Sequence, residues 1–479
     1  MLIRHTTRML LLLALAAAAL RAVGEQALLE QFDRLRATDD LDRMVQRRFV
    51  RALVVYSKTF YFFDRGRERG LVAEGLEQFE RHLNAQLSRK KKQPYVHVVA
   101  VPVSRDQLIH ALLDGRGDLA AVDVNITPER QKLVDFSDPF YSNVAEVVVT
   151  AADVPAPATL QDLSGQEVYV RRSSSHYENL VRMNRSFRER RRRPAILRPA
   201  DERLEDEDLL EMVNAGLIPR VVVYDYNARF WGKVLPDIRV HSDIAVKRAA
   251  EAAWAFRKDS PQLKEMVNSF VAGHKIGTLL YNDAYARYFR TTKWVKNATS
   301  ARELAKFRAT VELFKHYGQR YDFDYLMVAA QGYQESGLDQ TKRSRSGAVG
   351  VMQVLPSTGR LMKVGDVHRL EPNIHAGVKY LRELVDDHFD DPGIDPVNRT
   401  LFAFAAYNAG PTRVAQLRAE AAKSGFDPNQ WFNHVERVVA KRVGSEPVRY
   451  VANIYKYYIA YSMVEQRTRE REQARAAPR

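Results

Sequence analysis

The chain has 479 residues, of which 46% are hydrophobic and 10% aromatic, and it carries a formal net charge of +15. This length and composition fit a globular protein with two or three domains and exclude an intrinsically disordered chain. The absence of cysteine excludes disulfide bonds, thiolate metal sites and lipid attachment at a cysteine, so the fold must be stabilised by packing alone.

The N-terminus follows the pattern of a secretory signal peptide. A basic start with Arg4 and Arg8 precedes an apolar run from Met9 to Leu20, and small residues follow. Residues 1–24 are therefore predicted to be removed on export, with residues 25–48 as a linker, although an uncleaved membrane anchor stays open. No later segment is long and uncharged enough to span a bilayer, which predicts an exported body in the periplasm.

The strong positive charge favours an anionic partner or surface. Nucleic acid is excluded as this partner, because no RNA- or DNA-binding motif appears and the chain is predicted to be exported. Acidic peptidoglycan stems and anionic lipid surfaces remain as candidate partners. Binding to a lipid surface would allow peripheral association with the outer membrane.

Between residues 49 and 290, short strand-like runs alternate with helical stretches. Three of the strand-like runs are "ALVVYS", "VHVVAVPVS" and "RVVVYDY", whereas "AEGLEQFERHLNAQL" is a helical stretch. Interleaving of this kind predicts an α/β domain, which we expect to end near residues 290–300.

From residue 300 to 464 almost every periodic run is helical. Apolar residues three or four apart keep one face of the first helix apolar: Leu304, Phe307, Val311 and Phe314. The predicted fold class is therefore multidomain, with an α/β domain followed by a mainly α domain. Residues 465–479 are predicted to be a disordered tail.

Three segments have a biased charge: Arg89–Lys92, Arg188–Arg193 and Asp201–Glu211. Such runs are most often solvated loops or helix faces, and we expect that role here rather than specific binding. No internal repeat is visible.

One acidic residue stands at the end of a predicted helix in the second domain. In "AAQGYQESGLDQ", Glu335 precedes Ser336 and the helix-stopping Gly337. The apolar stripe of this helix is predicted to face the core: Leu326, Ala329, Ala330 and Tyr333. Glu335 falls on the other side, where its neighbours are predicted to form a shallow, mixed surface: Val328, Gln331 and Gly332.

The last turn of a helix suits a carboxylic acid that must keep its proton. Carbonyl groups exposed at the C-terminus present negative potential, which disfavours ionisation of Glu335, and an apolar wall from another segment would disfavour it further. A carboxyl group that is neutral near pH 7 can act as a general acid, a role worth roughly 10² to 10⁴ in rate. Most glutamates at helix ends are solvated, so this position alone does not identify a catalyst.

Four motifs follow one another in this region: "QESGLDQTKRSRSGAVGVMQVLPST", "NIHAGVKYL", "LFAFAAYNAGPTRV" and "PVRYVANIYKYY". In their order and spacing, over residues 305–462, they resemble the soluble lytic transglycosylase family, which has a lysozyme-like fold. The resemblance implies that Glu335 is the catalytic acid and that Ser344 lies near it.

The second half of the first motif suggests residues that hold a glycan. Gly347 and Gly350 mark tight turns or the close approach of a sugar, and Gln353 offers an amide for N-acetyl or hydroxyl groups. The resemblance places Met352 and Gln353 in the glycan cleft, although an ordinary core position stays equally open for Met352.

The later motifs add three further candidates. In "AYNAGP", Tyr407 and Asn408 are an aromatic plate and an amide that suit a sugar, next to a helix stop. The resemblance implies that Tyr450 hydrogen-bonds the acid or the substrate, whereas the residues alone favour a half-buried core tyrosine. Ser336, directly after the acid, is assigned to substrate binding with them.

In the resembled family one glutamate acts as both acid and base. It protonates the glycosidic oxygen between N-acetylmuramic acid and N-acetylglucosamine, and the muramyl 2-acetamido group stabilises the cationic centre. The same residue then deprotonates the C6 hydroxyl, which closes a 1,6-anhydro ring, so a second carboxylate is unnecessary. Asp339 is the nearest candidate for a second carboxylate, and the pattern does not place it opposite Glu335.

The first domain carries a second resemblance. "GDLAAVDVNITPERQKLVDFSDPFYS" resembles the central signature of family 3 periplasmic solute-binding proteins, and the wider pattern fits from about Phe49 to Arg290. This implies two α/β lobes with a ligand cleft between them. It places Arg130, helped by Thr127, on a ligand carboxylate, and Asp225 on the ligand amino group. From the residues alone, a surface arginine and a strand-end cap stay open for Arg130 and Asp225.

The ligand is expected to differ from that of the resembled receptors. Arg171, Arg172 and serines stand in "VYVRRSSSHYENL" where those receptors carry a glycine-led loop, and the insertion Arg188–Glu211 is long and charged. A muropeptide or stem peptide, which carries several carboxylates, is therefore the predicted ligand rather than a free amino acid.

The two domains in this order resemble the membrane-bound lytic transglycosylase F family, which couples a solute-binding-like regulatory domain to the enzyme. The sequence therefore predicts a transglycosylase that acts on peptidoglycan glycan strands in the periplasm. A non-catalytic peptidoglycan- or peptide-binding receptor and a lysozyme-type hydrolase stay open as alternatives. No metal-ligand cluster or nucleotide-binding loop appears, so no metal and no cofactor is expected.

Overall fold

The computed structural model describes residues 36–64, 67–90, 95–275, 277–289 and 301–476. The predicted signal peptide, the predicted domain boundary at 290–300 and Lys91 and Lys92 of the first basic run lie outside the described residues. Within the described part, an α/β domain precedes a mainly helical domain, which confirms the predicted fold class.

The first domain is built from strands and helices that alternate along the chain. Its strands are β1 Phe49–Val54, β2 Phe62–Asp64, β3 Arg67–Arg69, β4 His97–Pro102, β5 Leu119–Asn125, β6 Asp135–Phe136, β7 Tyr141–Ala151, β8 Glu167–Val170, β9 Ile196–Pro199, β10 Arg220–Tyr224 and β11 Ile238–Phe256. Its helices are α1 Leu41–Arg47, α2 Leu71–Lys90, α3 Leu108–Leu113, α4 Pro128–Gln131, α5 Ser175–Glu189, α6 Asp206–Asn214, α7 Asp225–Trp231, α8 Pro261–His274 and α9 Leu279–Phe289.

One large sheet, with the order β4-β1-β5-β11-β7-β10-β8-β9, runs through the first domain. β1 pairs in parallel with β4 and β5, whereas β11 pairs antiparallel with both β5 and β7. The long strands β7 and β11 continue from one half of the sheet into the other. The two halves are the predicted lobes: lobe 1 holds β1, β4 and β5, and lobe 2 holds β8, β9 and β10 with the helices α5 to α7.

Runs of β-branched residues explain the central strands. All residues of β1 and β10 are buried, as expected for strands covered on both faces, which read as continuous apolar runs. Each lobe also has a small apolar cluster of its own, which includes Leu53 and Val122 in lobe 1 and Val168 and Val222 in lobe 2. Separate clusters allow each lobe to keep its shape if the cleft between them opens or closes.

The segment expected to be a linker, residues 25–48, is in part a helix. α1 lies within it and buries three apolar side chains: Leu41, Met44 and Val45. The Asp40 carboxylate caps its first turn by accepting a hydrogen bond from the Leu41 amide at 2.7 Å, and it also accepts from two amides at the start of α8. The linker prediction is therefore wrong for the described part of this segment, because buried side chains fix it to the domain.

The second domain consists almost entirely of helices. They are α10 Ala301–Arg320, α11 Tyr325–Ser336, α12 Pro356–Met362, α13 Leu370–His388, α14 Pro396–Ala409, α15 Pro411–Lys423, a short π-helical turn Trp431–Val435, α16 Glu436–Arg442 and α17 Ser445–Ala476. α10 buries the four apolar side chains that the sequence pattern predicted: Leu304, Phe307, Val311 and Phe314.

Helix α11 lies at the centre of this domain, between α10 and α17. Its predicted apolar stripe is buried, but so are the residues expected on a shallow surface: Val328, Gln331 and Gly332. That surface prediction is wrong, because neighbouring helices cover α11 on more than one side.

The last helix is longer than expected. α17 continues to Ala476, so residues 465–476 are helical and the predicted disordered tail is wrong for them. The Tyr325 hydroxyl donates to Glu465 at 3.0 Å, which holds this part of α17 against the start of α11.

The acidic stretch Asp201–Glu211 is largely buried, contrary to the expectation of a solvated face. The buried carboxylates belong to the start of α6 and its cap: Glu205, Asp206, Glu207, Asp208 and Glu211. Cations from other segments pair with them, which offsets the cost of burying charge. Asp208 contacts Lys58 of lobe 1 at 2.9 Å and Lys456 of α17 at 2.8 Å, so one carboxylate joins both lobes to the helical domain. The basic run Arg188–Arg193 is exposed, as predicted.

Replacing Asp208 with asparagine should weaken this junction. Asparagine keeps the shape of the side chain but leaves Lys58 and Lys456 without their shared anion, and we expect a loss of about 2–3 kcal/mol in the free energy of unfolding. Calorimetry of the full chain measures the effect, with the exposed Asp153→Asn as the control. Equal melting temperatures for Asp208→Asn and the wild type would contradict the structural role of Asp208.

Candidate functional site

Glu335 lies in the last turn of α11, where the signals at both helix ends place it. The Asp324 carboxylate begins the helix by accepting a hydrogen bond from the Leu326 amide at 2.9 Å. Gly337 ends it with a φ of 72°, a conformation that favours glycine, and its amide donates to the Tyr333 carbonyl at 2.8 Å. Because both ends are fixed, Glu335 is held in one place, half-buried.

A chain of hydrogen bonds joins Glu335 to the interior of the domain. The hydroxyl of Tyr450, on α17, donates to Oε1 of Glu335 at 2.5 Å, and Nε2 of Gln331 donates to the same hydroxyl at 3.1 Å. The contact that the resemblance implied for Tyr450 is therefore present. Gln331 was missed, because the pattern placed it on an exposed surface. Its spacing of four residues from Glu335, on the same side of the helix, is the signal that could have found it.

Burial raises the pKa of Glu335 to about 7, because a half-buried carboxylate loses the hydration that favours its charge. The hydrogen bond from Tyr450 lowers this pKa, since it stabilises the carboxylate, but burial is the larger effect. A substantial fraction of Glu335 is therefore protonated at neutral pH. Burial by neighbouring segments is the main cause of the raised pKa, whereas the sequence pattern points first to the negative potential at the helix end.

Tyr407 reaches the neighbourhood of Glu335 from a third helix, α14. Its hydroxyl donates to the Met352 carbonyl at 2.7 Å. Burial raises the pKa of Tyr407 well above its usual value, and the charge of Glu335 raises it further. Asn408 follows as an exposed amide, and α14 ends at Gly410, whose φ is 92°. An aromatic side chain is thus near the acid, with an exposed amide beside it in the sequence.

The loop 343–354 is held by two isolated β-bridges: Arg343 with Val349, and Val349 with Val354. Gly347, with a φ of 85°, makes a tight turn in it. Gly350 has a φ of 77°, and a Cβ there would lie 2.5 Å from Nδ2 of Asn373, so only glycine fits. Asn373 is fully buried and accepts a hydrogen bond from the Met352 amide at 2.8 Å. Gly350 therefore permits the close approach of a protein side chain.

Two residues assigned to the glycan have structural roles instead. Met352 is fully buried, and a Cβ added at Gly377 would lie 2.7 Å from its side chain. The predicted cleft wall is wrong for this side chain, which fills the core. The Ser336 hydroxyl donates to the Val351 carbonyl at 2.9 Å and accepts from the Asp339 amide at 3.0 Å, so it closes the end of α11.

Gln353 and Ser344 have protein partners but are not fully buried. Gln353 has a φ of 49°, and its amide donates to the Gly350 carbonyl at 2.8 Å. The Ser344 hydroxyl accepts from the Ala348 amide at 2.9 Å and lies 2.9 Å from the Ser346 hydroxyl. Each of the two side chains keeps further hydrogen-bonding capacity, which a sugar could use.

Asp339 belongs to a surface turn and not to the surroundings of Glu335. Its carboxylate accepts hydrogen bonds from the hydroxyl and the amide of Thr341, at 2.6 and 2.9 Å. These bonds lower the pKa of Asp339, so this group is ionised at neutral pH. The two neighbouring acids of the motif thus have pKa values shifted in opposite directions.

The second predicted site is a cavity of about 300 Å³ between the lobes. Arg130 lines it from lobe 1, at the end of the short helix α4, which Thr127 caps by accepting from the Arg130 amide at 3.3 Å. The Arg130 guanidinium donates to Oε1 of Glu178 and to the Ser173 carbonyl, both at 3.0 Å. Both partners belong to lobe 2, so Arg130 is paired across the cleft with a carboxylate of the protein itself.

Asp225 does not line this cavity, although Tyr224 and Asn227 do. Its carboxylate contacts Arg229, one turn later on α7, at 2.7 Å and accepts a hydrogen bond from the Ala145 amide at 3.4 Å. The predicted contact with a ligand amino group is therefore wrong. Asp225 is instead a cap at the end of a strand, the other interpretation of the sequence. It stands where β10 ends and α7 begins, and its side chain points away from the cavity.

A cluster of paired charges lines the same cavity. Arg105 of lobe 1 contacts Glu205 of lobe 2 at 2.7 Å, and Arg171 contacts both Glu205 and Asp206 at 2.7 Å. Burial alone would lower the pKa of His176, but neighbouring carboxylates raise it to about 9, so the ring is protonated. The sequence marks Arg171 individually and Glu205 and Asp206 only as part of the acidic stretch, because the partners lie far apart along the chain.

Among the described residues, no group of three or more histidine, aspartate or glutamate side chains is arranged to hold a metal ion. In the same part of the chain, every helix is too short or too polar to cross a membrane.

Two family profiles match the chain in succession. The one described as bacterial extracellular solute-binding proteins, family 3, matches residues 60–291, and the one described as transglycosylase SLT domain matches residues 312–430. The chain is 30% identical to the membrane-bound lytic murein transglycosylase F of Pseudomonas fluorescens Pf-5, over 90% of this chain and 88% of that relative. The chain belongs to the membrane-bound lytic murein transglycosylase F family.

As a member of that family, the protein is a murein lytic transglycosylase, an enzyme of the lyase class. Its relative of the same name in Pseudomonas putida KT2440 is 29% identical, over 89% of this chain and 87% of that relative. The relative in Desulfosudis oleivorans is 29% identical, over 74% and 79% respectively. Among solved structures, an ancestral arginine-binding protein bound to arginine is 21% identical with a TM-score of 0.41, over 50% of this chain and 98% of that one.

Glu335→Gln should stabilise the transglycosylase more at pH 8 than at pH 5. An acid whose pKa is raised to about 7 by folding opposes folding above its unfolded pKa, and the penalty grows until the pH passes the folded value. Because the group is half-buried, we expect a gain of about 1–2 kcal/mol at pH 8. Thermal unfolding at both pH values measures it, with the exposed Glu265→Gln as the control. The same difference at both pH values would contradict the raised pKa.

Proposed function

We propose that the transglycosylase cleaves the β-1,4 bond between N-acetylmuramic acid and N-acetylglucosamine, uses Glu335 as its only acid and base, and releases a 1,6-anhydromuramyl product. The observation that carries this proposal is a half-buried Glu335 with a pKa near 7 and a hydrogen bond from Tyr450. A carboxyl group with this pKa can both donate and accept a proton near neutral pH.

In the first half of the reaction, protonated Glu335 donates its proton to the glycosidic oxygen. The bond from that oxygen to the muramyl C1 breaks, and N-acetylglucosamine leaves with a neutral hydroxyl. The 2-acetamido group of the substrate stabilises the cationic centre at C1, so the protein needs no second carboxylate. The Tyr450 hydroxyl donates to the carboxylate left behind and stabilises its new charge.

In the second half, the Glu335 carboxylate removes the proton of the C6 hydroxyl on the same muramyl residue. The C6 oxygen bonds to C1 and closes the anhydro ring, and Glu335 is protonated again, now by the proton of the C6 hydroxyl. A hydrolase would use water instead, usually with a second carboxylate. Asp339, the nearest acid after Glu335 in the motif, turns its carboxylate to Thr341 in its own turn and not to Glu335, which favours the scheme with one acid.

We assign the sugar contacts to four side chains that keep accessible polar or aromatic groups: Ser344, Gln353, Tyr407 and Asn408. They offer a hydroxyl, two amides and an aromatic face, which suit the hydroxyl and N-acetyl groups of the glycan. The closeness of Tyr407 to Glu335 supports a position next to the bond that is cleaved.

Glu335→Gln should reduce the release of anhydromuropeptides from purified sacculi by about 10²- to 10⁴-fold or more. The amide keeps the size of the side chain, but it cannot donate a proton to the leaving oxygen at neutral pH. Mass spectrometry measures the products, because anhydro products are lighter than hydrolytic products by one water. Asp339→Asn is the control and should keep most of the wild-type activity.

The same assay separates the alternatives. Hydrolytic products from the wild-type chain would favour a lysozyme-type hydrolase, and the absence of either product would favour a receptor without activity. Turnover near the wild-type rate by Glu335→Gln would show that another group is the acid.

We also propose that the first domain senses a muropeptide or stem peptide and binds one of its carboxylates at Arg130. Arg130 lines the cavity between the lobes and is paired there with the carboxylate of Glu178. The position therefore suits an anion of the same shape, and a ligand carboxylate would take the place of Glu178.

Asp208 provides a route from this cavity to the enzyme. It contacts Lys58 of lobe 1 and Lys456 of α17, and α17 also carries Tyr450. A ligand that binds one arrangement of the lobes better than another would shift the position of α17, and with it the surroundings of Glu335.

Arg130→Met should abolish binding of a soluble stem tetrapeptide, whereas Glu178→Gln should strengthen binding by about 10-fold because the competing carboxylate is gone. Isothermal titration calorimetry on the full chain measures both effects. Asp225→Asn is the control and should bind as the wild type does, since Asp225 does not line the cavity. Wild-type affinity in Arg130→Met would contradict the carboxylate site, and no binding by either the wild type or Glu178→Gln would exclude the stem peptide as the ligand.

We place the enzyme in the periplasm, where its glycan substrate lies, with peripheral association with the outer membrane. The net charge of +15 and the exposed run Arg188–Arg193 support attraction to an anionic surface of the envelope.

A further inference from the structure

Packing does not explain the buried amide of Gln331. It lies on α11, four residues before Glu335, and is fully buried. Its Oε1 atom has no hydrogen-bond partner among the described residues. A buried amide with an unpaired oxygen is less favourable than an apolar side chain of the same size, so a role in packing alone would not favour glutamine here.

The contact that Gln331 does make is directional. A tyrosine hydroxyl has a single proton, which it can donate to Glu335 or turn away from it. Nε2 of Gln331 is a donor, so it occupies an acceptor position on the Tyr450 oxygen, at 3.1 Å. The only proton of the hydroxyl is then left to point at Oε1 of Glu335, at 2.5 Å. A hydroxyl that accepts a hydrogen bond also becomes a stronger donor.

We propose that Gln331 is a positioning residue of the transglycosylase, which fixes the direction of the Tyr450 hydroxyl so that it stabilises the carboxylate form of Glu335. This inference rests on the proposed role of Glu335 as acid and base. Gln331 acts through Tyr450 alone. Through Tyr450 it stabilises the negative charge that forms when Glu335 gives up its proton. It therefore affects the pH above which Glu335 is no longer protonated and cannot act as the acid.

Other titratable groups lie on the elements around the end of α11: Tyr407 on α14, Tyr457 on α17, and Glu303 and Lys306 on α10. Lys306 donates to the Gly337 carbonyl at 3.2 Å and pairs with Glu303 at 3.0 Å, so its charge is engaged at the helix end. Within the described residues, burial and the Tyr450 hydrogen bond are the influences that shift the pKa of Glu335. Tyr450 is therefore the group through which a change at Gln331 would reach the acid.

The test is the pH dependence of sacculus cleavage by the full chain, for the wild type, Gln331→Met, Tyr450→Phe and the double variant. Methionine has nearly the shape of glutamine but cannot donate, so the carboxylate of Glu335 loses stabilisation and its pKa rises. The alkaline limb of the pH–activity profile should move to higher pH by about half a unit in Gln331→Met, and by more in Tyr450→Phe. The double variant should match Tyr450→Phe, because Gln331 has no effect without the hydroxyl.

Gln334→Met is the matched control, a half-buried glutamine on the same helix, and should keep the wild-type limb. An unchanged limb in Gln331→Met, a further shift in the double variant, or an equal shift in the control would overturn the proposal. Gln331→Leu replaces Gln331→Met if circular dichroism shows that the methionine variant is unfolded.

Glu335→Gln in the same assay separates the two hypotheses. If this variant stays active, the proposed acid is wrong. If it is inactive while Gln331→Met keeps the wild-type limb, only the role of Gln331 fails.

Discussion

The hydrogen bond between Tyr450 and Glu335 is the interaction on which the site depends. α11 supplies the acid and α17 supplies the donor, and burial between helices raises the pKa of the acid. Burial without a donor would make the ionised form too costly to serve as a base, whereas an exposed carboxylate would be ionised too early to serve as an acid. The pairing of one donor with a half-buried acid makes both protonation states accessible near neutral pH.

The fold class could be predicted from sequence because hydrophobic periodicity is a local property. The alternation of strands and helices up to the domain boundary and the apolar face of α10 follow directly from it. Periodicity does not report how many neighbours a helix has, and so the second face of α11 was assigned to the surface. The acidic stretch before and within α6 was misassigned for a similar reason, since its partners Lys58 and Lys456 lie far away in the chain.

The ordered motifs identified which segments come together but not how each side chain turns. Tyr450 contacts Glu335, and Arg130 lines the cavity between the lobes, as the resemblances implied. The side chains of Met352 and Asp225 do not face the predicted ligands. A shift of one position along the backbone is enough to turn a side chain from the cavity to the core, and a motif does not report that shift. The motifs do not mark Gln331 and Glu178, since each acts through a contact with a residue on another segment, and only the four-residue spacing from Glu335 points to Gln331.

Helix α17 carries both Tyr450 and Lys456, so one rigid element contacts Glu335 and also forms the junction with the first domain. An α-helix turns by about 100° per residue, and one inserted or deleted residue between these two positions would swing one group away from its partner. The two domains are thus not freely exchangeable modules, because a transplanted helical domain would need this same spacing to fit the lobes.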